Sequence, residues 1–138
     1  MDEAKPHPSN IPGDYFVEDG CCMMCEVPLT AAPGLFGVVR DPPGYLHCFV
    51  KKQPETADEH ERMFLAIRRA EAGCIRYRGR ERATQLRLVE AGEGPACVDL
   101  PAELQRRSDE VIASLEQQSR RPQALWERLM RLWRSEPG

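Results

Sequence analysis

Apolar and polar positions along this chain change period several times, and each change marks an expected element. Residues 1–10 are polar and carry Pro6 and Pro8, so they read as a flexible leader, with order expected from Ile11. Pro12-Gly13 makes a turn, and residues 14–19 then read as a short strand built on Tyr15, Phe16 and Val17 and ended by Gly20. Pro28, Pro33, Gly34 and Gly37 limit residues 27–36 to a short helical or turn segment. Val38-Val39, the turn Asp41-Pro42-Pro43-Gly44 and residues 45–50 read as a hairpin with Cys48 on its second strand.

The clearest helical signal starts at Thr56. Glu59 three residues on completes a capping box, Asp58 and Glu59 suit the positive end of the helix dipole, and Met63, Ala66, Ile67 and Ala70 make an apolar stripe. Gly73 is a C-terminal cap, leaving Cys74 at the helix exit and residues 75–78 as a strand expected to pair with Tyr15 to Val17. Further on, residues 85–89 read as β-like, and 92–95 as a turn. Leu104, Val111, Ile112 and Leu115 mark one helix, and Leu125, Trp126, Leu129, Leu132 and Trp133 a second, the pair forming a hairpin broken near Pro122. The resulting expectation is an α+β chain of three parts: a leader (1–10), a compact domain (11–82) and a C-terminal extension (83–138) with a two-helix hairpin that packs on the domain or on a partner.

Composition adjusts this picture modestly. At 138 residues one domain with a terminal extension is expected, and 41% hydrophobic with only 7% aromatic residues gives a core small enough to profit from a metal staple. A net charge of −3 argues against nucleic acid as the default partner. The chain shows no basic-then-apolar signal segment and no apolar run long enough to span a bilayer, so a cytoplasmic protein without a membrane partner is expected. In that compartment disulfides are unfavoured, which turns attention to the thiols as ligands.

There are six cysteines, and Cys22 and Cys25 form a C-x2-C pair. With Cys48 and Cys74, four thiolates from three segments are the candidate ligands of one centre, either an iron–sulfur cluster or zinc. Cys21 is a substitute for one of them, although its adjacency to Cys22 lets only one of the two point easily into a given site. Cys21 and Cys97 otherwise read as small buried hydrophobes. His47 beside Cys48 invites a zinc or Rieske-type reading, but a solvated or hairpin-packing histidine is the more ordinary explanation. Arginines 76, 78, 80, 82 and 87 read either as a docking patch or as a solvated face.

The stretch Ile11-Pro12-Gly13-Asp14-Tyr15-Phe16-Val17, the cysteines after it, Ala32-Pro33-Gly34-Leu35-Phe36, Lys52-Gln53-Pro54-Glu55-Thr56 and Cys74-Ile75 resemble the divergent bacterial single-cluster ferredoxins over residues 11–80. The resemblance implies a ferredoxin-like fold, in which a strand enters the cluster loop, a helix returns the chain, and a last cysteine near the closing strand completes the site. It also implies a four-iron, four-sulfur cluster and one-electron exchange with a protein redox partner. Two positions depart from the family: Pro28 stands where a third ligand of C-x2-C-x2-C falls, and Ile75 rather than proline follows Cys74. Cys48 is the proposed replacement, giving Cys22, Cys25, Cys48 and Cys74 as cofactor ligands. No general base, nucleophile constellation or phosphate loop stands out, so an electron carrier is expected rather than an enzyme. The competing reading is a zinc-bound or metal-free interaction module, with dithiol catalysis at Cys22 and Cys25 ranked below both.

Overall fold

A computed structural model describes residues 4–134, with the side chains of 121–124 outside that description. The chain is α+β: β1 (Tyr15–Val17), α1 (Val27–Ala31), β2 (Phe36–Asp41), β3 (Tyr45–Val50), α2 (Ala57–Arg69), β4 (Ile75–Tyr77), α3 (Arg82–Glu90), a 3-10 turn (Gly94–Ala96) and α4 (Ala102–Arg134). The strands form two antiparallel pairs. β1 pairs with β4, Tyr15 opposite Tyr77 and Val17 opposite Ile75, as their patterns predicted. β2 and β3 form the hairpin, with Val38 opposite Cys48 and Val39 opposite His47.

The capping box of α2 is present in full. Thr56 Oγ1 accepts from the Glu59 N–H, and the Glu59 carboxylate accepts from the Thr56 N–H. Met63, Ala66 and Ile67 on its apolar stripe are buried with Val17, Leu35, Phe36, Val50, Ile75 and Leu88 in one core. Three-residue β1 has no solvated face, because it is covered on one side by β4 and packs on β3 as well.

Three expectations are corrected. Residues 85–89 are helical, because Gln85, Leu88 and Val89 recur at helical spacing and all three are buried, with Gln85 Nε2 donating to the Gly79 and Asp99 carbonyls. The C-terminal hairpin is a single helix, α4, running through Pro122. Proline removes one i→i−4 bond, but good helix formers on both sides carry the helix across it. The boundary at 83 also fails: Leu88 and Ala96 belong to the common core, and Val98 N–H bonds to the Tyr77 carbonyl. α4 approaches through Leu104, Ser108 and Val111, with Ser108 lodged so closely against Gly94 that an added Cβ would lie 1.9 Å from its Oγ.

The leader is not free from residue 5 onward. Lys5 and His7 bond to the Asp19 and Val17 backbone, and the Asn10 carboxamide accepts from Val17 N–H and Val50 N–H while donating to the His7 and Val17 carbonyls. One side chain thus ties together the leader, β1 and β3.

Candidate metal-binding cysteine cluster

Cysteine sulfur atoms from three segments, residues 21–25, Cys48 and Cys74, gather at one end of the β1–β4 pair. The Glu18 N–H bonds to the Cys74 carbonyl at 2.9 Å, extending that ladder by one step and bringing the exit of α2 beside the loop that follows β1. There Cys21 and Cys74 form a disulfide across a sequence separation of 53. Cys21 is therefore not the inert hydrophobe expected, and a disulfide exists where the expected reducing compartment argued against one.

The next residue turns the other way. Cys22 Sγ accepts from the Cys48 N–H at 3.3 Å and from the Met24 N–H at 3.4 Å. Met24 and Glu26 hold positive φ of 53° and 63°, a conformation costing on the order of 1 kcal/mol for a residue with a side chain, and in this bent loop the Met24 N–H points back at the Cys22 sulfur. Cys22, Cys25 and Cys48 line one crevice of about 10 Å³ with Met24, Pro28 and Leu29. Cys22 also lines an open groove of about 490 Å³ with Asp19, Met23, Tyr45 and His47. Of the four expected ligands, three thus share a crevice and the fourth, Cys74, is bonded to a neighbour of the first.

Burial sets the proton state of the third thiol. It pushes Cys48 up to about 12, helped by the S–H contact with Cys22, so at neutral pH Cys48 is a protonated donor. A metal would have to displace that proton. Cys97 lies apart from the cluster on the strand-like segment bridged to Tyr77, and burial raises it to about 11, so it remains a packing residue.

The histidines were underestimated from the sequence. His7 and His47 are both buried and their rings stack at 4.3 Å. Among the described residues, His7, Asp19 and His47 form a group whose candidate ligand atoms all lie within 4.8 Å of one another. Each ring nitrogen is nevertheless engaged. His7 Nδ1 accepts from the Ser9 N–H and Nε2 bonds to the Asp41 carboxylate at 2.8 Å. His47 Nδ1 donates to the Cys48 carbonyl at 2.7 Å and Nε2 accepts from the Gly20 N–H at 3.1 Å. With both lone pairs taken by backbone N–H groups, His47 holds the cysteine loop through Gly20, and His7 ties the leader to Asp41. Gly20 to His47 and Cys22 to Cys48 are the two bonds that hold that loop on β3. His7 gave no periodic signal in the sequence, since it stands between two prolines.

No family model, curated protein or solved structure matches this chain. Its chemistry rests on its own residues. The arginine run is committed internally: Arg76 to Glu18 and the Pro95 carbonyl, Arg78 to the Gly13 carbonyl and over Phe16, Arg80 to Asp99, Arg82 to Glu103, and Arg87 to Glu61 with its guanidinium 3.9 Å from the Phe64 ring centre.

Proposed function

We propose that this chain is a ferredoxin-like electron carrier whose iron–sulfur centre is held by Cys22, Cys25, Cys48 and Cys74. The observation that carries the reading is the convergence of Cys22, Cys25 and Cys48 on one crevice, with two backbone N–H groups aimed at the Cys22 sulfur. Hydrogen bonds of that kind stabilise charge on a ligating thiolate and tune a centre's potential. The order of elements also supports it: a strand, a cysteine loop, a returning helix and Cys74 immediately before the strand that pairs with the first.

The donor set fits the group in chemistry, on two conditions: the disulfide is reduced, and the loop at Cys22 and Cys25 opens. Cys74 serves as a ligand only after the Cys21–Cys74 bond takes two electrons and two protons from a dithiol reductant, releasing two thiols. Cys22, Cys25, Cys48 and Cys74 then lose their protons on ligation, and buried Leu35, Phe36 and Ile75 exclude water around them. Bound there, an iron–sulfur cluster supplies one-electron chemistry. The groove that exposes Met23 and Tyr45 beside Cys22 offers a redox partner its approach.

A second reading, a zinc-holding interaction module, is favoured by the size of the crevice. A crevice of about 10 Å³ matches the roughly 10–15 Å³ that a single water needs, a size suited to one ion. A cluster requires the loop at Cys22 and Cys25 to open.

Purification in the absence of air with a thiol reductant, followed by iron, acid-labile sulfide and zinc assays and by electron paramagnetic resonance after dithionite, separates the two. About four irons and four sulfides per chain with a signal on reduction support the carrier. A colourless protein with about one zinc supports the module, and neither metal removes both.

A further inference from the structure

We propose that the far end of α4, residues 125–134, docks on an anionic lipid surface. α4 has 33 residues, roughly 50 Å at 1.5 Å per residue, and its first third anchors it to the body through Leu104, Ser108 and Val111. Leu115 still touches Gly92, but the described side chains beyond it are exposed to the last turn. At about 100° per residue, Leu125, Trp126, Leu129, Met130 and Trp133 fall within an arc of about 140°. Glu127, Arg128, Arg131 and Arg134 occupy the opposite side. The apolar residues are far from buried, with Trp126 at 64% and Trp133 at 83% of full exposure.

The composition of the two faces selects the occupant. Three arginines against one glutamate form a cationic strip on a chain whose net charge is −3, so the positive charge is local to this helix end and is complementary to acidic headgroups. Tryptophan, with an apolar ring and a polar N–H, favours the level of the headgroups, and both tryptophans of the chain lie on this one face. A cationic polar face behind a tryptophan-bearing apolar face is the arrangement of a helix lying in an anionic interface, and a second copy of the helix is the alternative occupant that the test separates. Among the described residues no helix is long and apolar enough to cross a membrane, so the contact proposed is at the surface.

Because Trp126 and Trp133 are the whole tryptophan content, intrinsic fluorescence of the full chain reads this face directly. The chain is mixed with vesicles of phosphatidylcholine alone and of phosphatidylcholine with phosphatidylglycerol, with emission and co-flotation followed. Expected are a blue shift and flotation with the anionic vesicles only, reversed by salt, weakened about fivefold by each of Arg128→Gln and Arg131→Gln, and abolished by Leu129→Glu at an unchanged melting temperature. No shift with anionic vesicles, equal binding to both compositions, or binding kept by Leu129→Glu would each overturn the proposal. So would a blue shift that grows with protein concentration without lipid, which would assign the face to a second copy.

Discussion

The cysteine-bearing body and the outer half of α4 are both rich in large apolar side chains and use them in opposite ways. In the body, Phe16, Leu35, Met63, Ile75 and Leu88 come from five separate segments and are fully buried, while Leu125, Trp126, Leu129 and Trp133 follow one another on one helix and stay exposed. The first arrangement exists only when the whole chain is folded. The second is satisfied by i→i−4 bonds alone. The difference teaches that stability and the cysteine site belong to long-range convergence, whereas the helix end presents a surface.

That contrast can be broken most forcefully in the core. Met63→Ala removes a fully buried side chain at the junction of α2 with the strands, and should cost about 2–5 kcal/mol in urea unfolding; a loss under about 1 kcal/mol would mean the core is not the shared foundation described here. Next in size, Asn10→Ala leaves the Val17 and Val50 N–H groups without their acceptor, for an expected loss of about 2 kcal/mol. A neutral result would return residues 5–10 to the status of a loose leader.

The sequence was legible wherever the signal was local. Capping at Thr56, the Met63 stripe, the hairpin turn at Asp41 to Gly44 and the β1–β4 pairing all follow from neighbours a few residues apart or from strong strand propensity. What escaped depends on distant partners. Nothing near Asn10 announces that its carboxamide will bridge two strands, and nothing near His7 announces Asp41 or the His47 ring. Residues 85–89 misled because Leu88-Val89 suits either period, and only the burial of Gln85 by the Gly79 and Asp99 carbonyls decides for helix. Among the thiols, Cys22 and Cys25 stand out by their C-x2-C spacing and Cys48 by its place on the hairpin, and the three share a crevice, but the Cys21–Cys74 bond arises from chain reversal that spacing does not encode.

A pH titration sharpens the contrast from another side. Burial raises Cys48 to about 12 from the ordinary 9.0, so the unfolded chain loses this proton first. The associated stability is whole below pH 9 and disappears as pH climbs toward 12. Unfolding free energy of the metal-free, reduced protein should therefore decline across that window, and Cys48→Ala should flatten the decline. An identical slope in the variant would remove Cys48 as its source. The smallest effect is expected at the other end of the molecule: ending the chain after Arg120 removes only exposed side chains among those described and should leave the melting temperature unchanged. A clear drop would mean that the helix end packs on the body.

The most direct measurement compares iron content and visible absorption of the parent protein with Cys48→Ser and Cys97→Ser, all purified without air and checked for equal helicity. The account predicts that Cys48→Ser loses the iron and the colour while Cys97→Ser keeps both. Unchanged iron and absorption in Cys48→Ser would contradict it.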